Sequence, residues 1–510
     1  MPLGLLYVAA ALKKARHDVK VYDAIVDAGE ERWGIEESPG LFRMGATLDE
    51  IRRVVADWSP DVVGIGNPYS SQLPDALKTA EVVKRANPRT RVVVGGPHAT
   101  VMPSSFLYPG APVEFAVMGE GEVTVVELLD ALMGRRDIKT VKGIAYLDQG
   151  RLTIHDKREF IENLDELPLP AYELVDMERY FTFNRKGKDG REYYRYPGAE
   201  RSVSFITSRG CPFQCTFCSI HLGMGRKFRA HSVNAVLNHI RFLKDQYGLE
   251  HIHFEDDNLT FDTMRFVKIL NGIRGNGFQI TWDTPNGVRA DTLDREILMK
   301  CRDSGCTYLR IGVESANDQV RSGIIRKRLD LKKVIEVARL CNRLGIDLEA
   351  FYVIGFPGEN IAQMQETLDF ALKEERLHGL YPYGMFTATP LIGTELFRQC
   401  LEKGYFSKPP DPLSLATATQ GDGLIRTEEF SPEQVTALQR DFDRRHLLAW
   451  TLYSLRVLLK HPHYIPLRLR SKGLARHLLS SLFHLNPIPL LVDLLLYRYK
   501  NCILRKVRIR

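Results

Sequence analysis

The sequence predicts an α/β protein with two domains of parallel strands, followed by a helical C-terminal region. Short apolar runs rich in β-branched and aromatic residues alternate with longer helical stretches, which is the pattern of parallel strands joined by crossover helices. This alternation occurs twice, over residues 1–144 and 201–425, and a proline-containing linker over 145–200 separates the two domains. Residues 426–510 are leucine-rich and basic, and they are expected to be helical.

The first domain is expected to be an open, doubly wound sheet of the Rossmann or flavodoxin type. An apolar helix covers residues 2–12, and a second helix is expected over 73–86. The predicted strands are 17–23, 60–66, 91–96 and 114–118. In such sheets the loops that follow the strands bind ligands, so these loops are the first place to look for a site.

Three cysteines lie within eight residues, at the spacing C-x3-C-x2-C: Cys211, Cys215 and Cys218. Three thiolates this close can bind three corners of a four-iron cluster and leave the fourth iron open to a substrate or cosubstrate. A structural zinc site with His221 as the fourth ligand is the alternative, although such sites more often pair two short ligand clusters. Eight cysteines in 510 residues favour a reducing compartment over a disulfide framework.

The cysteine motif, with Phe217 before its last cysteine, resembles that of the radical S-adenosylmethionine (SAM) superfamily. Five later motifs match that superfamily's second to sixth barrel strands in order: HFEDDN at 253–258, NGVRAD at 286–291, IGVES at 311–315, YVIGFPGE at 352–359 and TPLIGT at 389–394. The resemblance extends over roughly 200 residues, the size of one domain. It implies a partial (β/α)6 TIM-like barrel and a 4Fe–4S cluster, held by the three cysteines, that cleaves SAM to a 5′-deoxyadenosyl radical.

Polar residues at the ends of the barrel strands are the candidates for SAM binding under this resemblance. They are Glu255, Asp256, Arg289, Glu314, Ser315, Gly355 and Glu359. A single carboxylate at such a position is as often a helix N-cap or a solvated charge. A series across several strands instead indicates one shared site at the C-terminal face of the barrel. No further catalytic residue is predicted.

The first domain resembles the cobalamin-binding domain that precedes the barrel in one large radical SAM subgroup. The segments VGGPH at 94–98 and GEGE at 119–122 carry this resemblance. It implies cobalamin contacts from Ser70, Ser71, Gly95, Gly96, His98, Gly119, Glu120 and Gly121. The motif Asp-x-His-x-x-Gly, with which some cobalamin proteins supply a histidine to cobalt, is absent, so no histidine ligand below the corrin is expected.

One feature of this domain departs from the subgroup. There, a strand precedes the apolar helix, whereas here the helix begins at Pro2. In a flavodoxin-like order that strand lies in the middle of the sheet, so without it the strand near 19–22 has no neighbour on one side. We expect the domain to lack its first strand, either because the natural chain starts upstream or because the domain is incomplete.

The combined resemblance implies cobalamin-dependent methylation of an unactivated carbon, with an electron donor such as flavodoxin or ferredoxin. The alternatives are a radical SAM cyclase or oxidase without methyl transfer, and a cobalamin or iron–sulfur sensor without turnover. A methylthiotransferase is disfavoured because no second cysteine triplet precedes the barrel. A SPASM-type peptide maturase is disfavoured because the C-terminal region holds only Cys400 and Cys502.

The C-terminal region concentrates the positive charge. Residues 446–510 hold twelve Lys and Arg and one Asp, whereas the whole chain has a net charge of +7. Prolines keep each apolar run below the roughly 18 residues that span a bilayer. The region is either a helical cap on the barrel or a peripheral contact of a cytoplasmic protein with anionic lipid at the inner membrane surface. Nucleic acid is disfavoured, and the substrate is a small or lipid-like molecule.

Overall fold

The computed structural model describes residues 1–28, 35–38, 41–43, 45–186, 201–418 and 423–460. Within these residues the chain forms two parallel-stranded units and a C-terminal helical segment, as the alternation of strands and helices predicts. A short antiparallel pair, β1 (Ile35–Ser38) and β2 (Leu41–Arg43), stands apart from both main sheets.

The N-terminal unit is a five-stranded sheet covered by helices. Its elements are α1 (Leu3–Lys14), α2 (Leu48–Trp58), β3 (Val62–Gly66), α3 (Leu73–Ala86), β4 (Arg91–Gly95), α4 (Pro97–Val101), β5 (Phe115–Val117), α5 (Gly121–Leu132), β6 (Ile144–Asp148) and β7 (Arg151–Ile154). The strand order is β3-β4-β5-β6-β7, with β3, β4 and β5 parallel and the last two antiparallel. Apolar side chains of the central strands, including Val92, Val94 and Ala116, form the core.

The predicted strand over 17–23 is not a strand in the structure. The segment runs without regular secondary structure, and Val19 and Val21 pack against Ala9 and Ala10 of α1 instead of joining a sheet. β3 is the edge of the sheet and pairs only with β4 among the described strands. The apolar side chains of this segment are therefore buried against a helix. No described strand pairs with its backbone.

The first domain was predicted to end at residue 144, but this position lies inside β6. The linker therefore starts later than predicted. β6 and β7 form a hairpin that extends the sheet to Ile154. Its turn places Gln149 and Gly150 at φ values of 48° and 77°, the left-handed pair that a tight hairpin turn requires. The linker then continues to α6 (Met177–Lys186).

The second unit contains six parallel strands in chain order. Its elements are β8 (Ser202–Phe205), β9 (Ser208–Arg209), α7 (Ile220–Met224), β10 (Arg229–Ala230), α8 (Val233–Tyr247), β11 (His251–Phe254), α9 (Thr263–Gly275), β12 (Thr281–Asp283), α10 (Arg295–Asp303), β13 (Cys306–Glu314), α11 (Leu331–Leu344), β14 (Asp347–Ile354), α12 (Ile361–His378) and β15 (Leu380–Thr387). The sheet order is β15-β14-β13-β12-β11-β8, so the first and last strands are not neighbours and the barrel is partial.

The third barrel strand differs from its expected position. It is β12, whereas the motif at 286–291 follows the strand and contributes only an isolated bridge from Val288 to Ile311. Polar residues of that motif consequently lie in the loop beyond the strand. This loop is part of the C-terminal face of the barrel, where the site is expected.

The described C-terminal helices are α13 (Glu395–Glu402), α14 (Pro412–Ala418) and α15 (Pro432–Lys460). α15 packs beside the last barrel strand, where the Gln439 side chain donates to the carbonyl of Met385 at 2.6 Å. In the described part of the chain, no helix is both long and apolar enough to cross a membrane. The helices predicted over 474–485 and 490–499 lie outside the described residues.

Candidate functional site

The three predicted cluster cysteines lie on one loop at the C-terminal face of the barrel. The loop leaves β9, turns at Gly210 and ends at α7. Gly210 has a φ of 85°, and a Cβ there would collide with the carbonyl of Lys227, so the turn requires glycine. Cys211, Cys215 and Cys218 are half-buried free thiols.

Two carboxylates at the end of β11 hold this loop in place. Asp256 accepts hydrogen bonds from the Thr207 amide at 3.1 Å and the Thr207 hydroxyl at 2.7 Å, and also from the Ser208 hydroxyl. Asp257 accepts from the Gly210 amide at 2.8 Å. Both oxygens of the buried Asp256 are thus engaged by protein groups. We assign Asp256 to positioning of the cysteine loop instead of the SAM contact expected from sequence.

The thiols fit a cluster better than a single zinc ion. In the described part of the chain, the three sulfurs are not all within 4.8 Å of one another, as the ligands of a single zinc ion would be. Burial raises the pKa of all three thiols, and that of Cys218 to about 11. Cationic iron would offset this cost by stabilising the thiolates.

An ion pair and a guanidinium surround the cysteine loop. Lys327 Nζ lies 2.7 Å from Glu314 Oε1, and both side chains are nearly buried. Arg289 stacks on Phe213 with its Cζ 3.9 Å from the ring centroid. Lys327, Glu314 and Arg289 all act electrostatically on Cys215. The sequence did not indicate Lys327 as a site residue. It follows a π-helix at Gln319–Ile324, which no sequence pattern predicted.

Glu314 is held in an unusual backbone conformation. Its φ is 65°, which is rare for a residue with a side chain and is found most often at functional sites. The conformation occurs at the end of β13, where the register with β14 also shifts. The strand end therefore directs the Glu314 carboxylate to Lys327, next to the cysteine loop.

Two other predicted SAM contacts serve the scaffold. The Ser315 hydroxyl accepts from the Asn317 amide at 3.2 Å and lies 3.2 Å from the Thr367 hydroxyl. Glu359 accepts from the amides of Gly355 and Phe356 at 2.7 and 3.0 Å and closes the turn after β14. Gly355 has a φ of 88° in that turn.

Glu255 is the predicted SAM contact that remains accessible at the end of β11. It is half-buried, and the Ser204 hydroxyl lies 3.5 Å from its carboxylate. Burial raises its pKa above the ordinary value of a glutamate. Of the predicted set, Glu255 is half-buried, whereas Arg289, Glu314 and Gly355 are buried.

In the N-terminal unit, the predicted histidine holds a loop together. His98 is 2% exposed, and its ring nitrogens lie 2.8 Å from the Ser70 hydroxyl and 3.1 Å from the Ser105 hydroxyl. Burial lowers the pKa of His98, so the ring is neutral. His98 and Ser70 are thus occupied with each other.

The glycine loops of this unit leave backbone exposed at the strand ends. Gly119 has a φ of 75°, its amide donates to Thr100 at 2.9 Å, and a Cβ there would meet open space. Gly95 ends β4, and Gly96 follows with a φ of 112° because a neighbouring carbonyl, that of Asn67, lies against it. Gly121 begins α5, and Ser71 lies in the turn that follows β3.

Asn67 is the polar residue of this edge that the sequence reasoning missed. It follows β3 and is 1% exposed, yet neither atom of its amide group has a hydrogen-bond partner among the described residues. A buried amide without partners costs free energy unless a ligand satisfies it. Cobalamin carries amide side chains around its ring, so an orphaned amide on a residue that lies against Gly96 fits such a ligand.

Glu120, predicted as a cobalamin contact, instead joins the two units. Its carboxylate accepts from Arg209 Nη1 at 2.9 Å and from Arg229 Nη1 at 2.8 Å, while Glu122 accepts from Arg209 Nη2 at 2.6 Å. All four side chains are at most 6% exposed. Arg209 lies two residues before Cys211, so this buried network, the Glu120–Arg209 clamp, connects α5 directly to the cysteine loop.

The strand-end loops of the two units face each other. α4, which contains His98, packs against α7, the helix that follows Cys218. A Cβ on Gly393 would lie 2.9 Å from Leu222 of α7 and 3.3 Å from Val101 of α4. The loop after β15, the cysteine loop and the N-terminal loops therefore meet at one place.

Each of the two units matches a known protein family. The B12 binding domain family model matches residues 1–129, and the radical SAM superfamily model matches residues 205–371. An uncharacterized methyltransferase of Pyrococcus horikoshii is 30% identical over 86% of this chain and 86% of its own length. The cytidylyl-2-hydroxyethylphosphonate methyltransferase of Streptomyces wedmorensis is 30% identical over 88% of this chain and 87% of its own.

A more distant relative and a solved structure complete the comparison. An anaerobic magnesium-protoporphyrin IX monomethyl ester cyclase of Rubrivivax gelatinosus is 24% identical over 70% of this chain and 61% of its own. The cobalamin-dependent SAM radical enzyme OxsB with aqua-cobalamin bound has a TM-score of 0.67 at 17% identity, covering 100% of this chain and 74% of that one. This likeness supports the same fold for the part of the chain that the structure describes.

Proposed function

The chain belongs to the radical SAM enzymes that carry a B12-binding domain, and we propose that it transfers a methyl group to an unactivated carbon of a small molecule. Its cofactors are a 4Fe–4S cluster, SAM and cobalamin. The two relatives that match it over more than four fifths of both chains are both named methyltransferases. The cyclase relative is less similar and matches a smaller share.

The residues divide into a radical site and a methyl-donor site. When bound, the cluster and SAM supply a 5′-deoxyadenosyl radical and cobalamin supplies the methyl group. We assign the cluster to Cys211, Cys215 and Cys218, and we propose that SAM contacts Glu255, Arg289, Glu314 and Gly355. The cobalamin edge comprises Asn67 and the backbone of 95–96 and 119–121, with Ser71 on the neighbouring turn.

The observation that carries the proposal is the junction of these two sites. Radical formation and methyl donation must act on one substrate carbon, so the two sites must face one pocket at a fixed separation. The contact of α4 with α7 and the Glu120–Arg209 clamp supply such a junction.

The barrel interior supports a polar substrate over a lipid. Arg310 lies 2.6 Å from Glu349 and stacks on Tyr383 with its Cζ 3.6 Å from the ring centroid. Phe351 packs against the same guanidinium at 5.2 Å. A lumen with buried ions and aromatic rings suits a small molecule that has both a polar group and a flat or ring portion. Cytidylyl-2-hydroxyethylphosphonate, the compound in one relative's name, is a suitable first probe.

The test uses anaerobic protein with a full cluster, cobalamin, SAM carrying a deuterated methyl group, and a reduced flavodoxin or ferredoxin as the electron donor. With a substrate present, we expect both S-adenosylhomocysteine and 5′-deoxyadenosine, and a labelled methyl group in the product. If 5′-deoxyadenosine forms alone with a converted substrate, the enzyme is a cyclase or an oxidase. If neither forms despite a full cluster, a non-catalytic sensor is supported instead.

Peripheral contact with anionic lipid is a separate proposal for the basic C-terminal region. Residues 461–510, which contain most of this charge, lie outside the described residues. Support comes only from their sequence, because clustered Lys and Arg beside apolar runs favour anionic surfaces. Co-sedimentation with anionic vesicles should weaken when the chain ends at Lys500, and unchanged binding would contradict lipid contact.

A further inference from the structure

Three metal-ligating side chains meet inside the barrel, away from the cysteine loop. His251 and His253 are alternate residues of β11, and Asp283 lies opposite His253 on the parallel strand β12. Alternate residues of a strand share a face. Their sequence neighbours Phe254 and Trp282 pack towards the helices, where Trp282 contacts Phe266 of α9. The two histidines and the aspartate therefore project to the interior of the barrel.

The distances among these groups suit a shared ion. His251 Nε2 lies 3.0 Å from Asp283 Oδ2, and His253 Nδ1 lies 2.9 Å from Asp283 Oδ1. The three ligand atoms all lie within 4.8 Å of one another, and no other such group of three occurs among the residues that the structure describes. A tetrahedral ion with bonds of about 2.0–2.1 Å to imidazole nitrogen and carboxylate oxygen places its ligand atoms roughly 3.3–3.4 Å apart, so the present groups would have to separate by only a few tenths of an ångström.

We propose that His251, His253 and Asp283 bind a divalent transition-metal ion of the zinc class inside the barrel. Two imidazoles and one carboxylate satisfy three positions of such an ion and leave at least one open. The proposal does not depend on methyl transfer, since it concerns the chain's own ligands and not the reaction.

The surroundings include the support that metal ligands usually have. The second nitrogen of His251 lies 2.7 Å from the Thr281 hydroxyl, a partner that fixes the ring and its tautomer. Without an ion, each imidazole donates its proton to Asp283. With an ion, each proton moves to the other ring nitrogen, where Thr281 accepts it from His251, so no proton is gained or lost.

The open positions would face the pocket of the barrel. His251 is fully buried, but the side chain of His253 is 32% exposed. Glu255 is the next residue on the same face of this chain segment. It lies in sequence between the proposed ligand His253 and the carboxylates that hold the cysteine loop. An ion at this place would take an oxygen of the substrate, from a hydroxyl, carboxylate or phosphonate group, as a further ligand. The site would thus orient the substrate below the radical source.

The direct test measures zinc in the anaerobic holoenzyme with its full cluster. After treatment with a mild chelator, the protein is titrated with Zn2+ and analysed by mass spectrometry for metals and by zinc K-edge absorption. We expect one zinc per chain, with nitrogen and oxygen neighbours at about 2.0–2.1 Å and no sulfur neighbour near 2.3 Å. A zinc–sulfur distance would assign the ion to thiols and overturn the proposal.

Variants separate an ion site from a simple hydrogen-bonded cluster. Asp283→Asn and His253→Gln should each weaken zinc binding by more than about tenfold, since even loss of an outer partner has an effect of that size. His231→Gln is the matched control, because His231 pairs with Asp165 at 3.1 Å without a third ligand. Full-length protein with Cys211, Cys215 and Cys218 changed to alanine should keep its zinc.

One substitution preserves all three ligands in case Asp283→Asn does not fold. Thr281→Val removes only the partner of His251 and should weaken zinc binding by about tenfold. Zinc affinity that is the same in the wild type and in all the triad variants would overturn the proposal. So would the absence of bound zinc in the wild type, which would leave the three residues as a hydrogen-bonded cluster.

Discussion

The two cofactor edges of the molecule are held by different kinds of interaction. The cysteine loop is held by charges: Asp256 and Asp257 accept from its amides and hydroxyls, and Arg209 extends to Glu120. Hydrogen bonds to ionised groups are roughly twice as strong as neutral ones. Hydrogen bonds and ion pairs with Asp256, Asp257 and Glu120 therefore hold this loop in place before any metal binds.

Apart from the Glu120–Arg209 clamp, the N-terminal edge is held by neutral groups. His98 lies between two serine hydroxyls, and Thr100 accepts from the Gly119 amide. Among the described residues of this edge, the side chain without a hydrogen-bond partner is the amide of Asn67. The difference indicates a division of tasks: the barrel edge must hold a cluster and SAM in one geometry, whereas the other edge receives a large ligand through weaker, replaceable contacts. Substitutions at the two edges should therefore differ in the size of their effects.

The largest effect is expected where the cluster is held. Replacing Cys218 by serine should abolish formation of 5′-deoxyadenosine, because a site with two thiolates no longer holds three corners of the cluster. Iron and sulfide content and the electron paramagnetic resonance signal of the reduced protein measure the loss. Cys400→Ala is the control, since Cys400 is buried apart from the loop. Retained SAM cleavage in Cys218→Ser would contradict the assignment of this residue to the cluster.

The next effect concerns the Glu120–Arg209 clamp. Glu120→Gln leaves Arg229 without its carboxylate and weakens the hold on Arg209, at a cost of about 3–5 kcal/mol for a broken buried pair. We expect a lower melting temperature. We also expect fewer molecules of S-adenosylhomocysteine per 5′-deoxyadenosine, because the two edges lose their fixed separation while the cluster remains.

The matched control for the clamp is Glu127→Gln. Glu127 pairs with Arg136 at 2.7 Å and also with Arg158, and both pairs lie within the N-terminal unit. Its loss should lower stability without changing the product ratio. If both variants change the ratio equally, the clamp would have no specific part in coupling the two edges.

A smaller effect is expected at the turn after β14. Burial raises the pKa of Glu359 to about 7, against the opposing hydrogen bonds from the Phe356 and Gly355 amides. Because the folded-state pKa lies above the unfolded value of 4.5, stability should fall as the pH rises from about 4.5 to about 7, and stay level above it. The free energy of unfolding lost over this pH interval is at most about 3 kcal/mol.

Glu359→Gln tests this pH dependence, since glutamine imitates the protonated acid. Urea unfolding of the metal-free protein at pH 6 and pH 8 should show a loss of stability in the wild type and a smaller loss in the variant. A wild-type protein that gains stability across this interval would show that the carboxylate is ionised in the fold at no cost.

The sequence was sufficient for the alternation of strands and helices in the barrel, but not for every strand of the N-terminal unit or for the direction of the polar side chains. Cys211, Cys215 and Cys218 are close in sequence, so they lie on one loop whatever the tertiary packing is. By contrast, Asp256 and Glu120 occupy predicted strand-end positions, yet each satisfies a neighbouring loop or domain instead of the predicted ligand. A strand end places a carboxylate at the site, but only tertiary packing decides which donor it meets.

The residues that were missed have the same explanation. Asn67 looks like an ordinary turn residue after a strand, and only its burial without partners distinguishes it. Lys327 is one of several basic residues in its segment, and its ion pair with Glu314 spans thirteen positions across a π-helix. The hairpin of β6 and β7 had a local signal in Gln149 and Gly150, which the linker interpretation overlooked.

The smallest effect is expected at the neutral edge, where Asn67→Ala should act in opposite directions on stability and on binding. Removing an unsatisfied buried amide should raise the melting temperature of the cobalamin-free protein, while the lost contact should weaken cobalamin binding by about 1 kcal/mol, or roughly fivefold. Asn87→Ala is the control, because Asn87 lies at the end of α3 and caps only the Arg89 amide. Cobalamin titration followed by absorbance measures the affinity. Because the Asn67 side chain has no hydrogen-bond partner among the described residues, a variant that is destabilised without cobalamin, or one that binds cobalamin as tightly as Asn87→Ala, would show that this amide does not face the ligand.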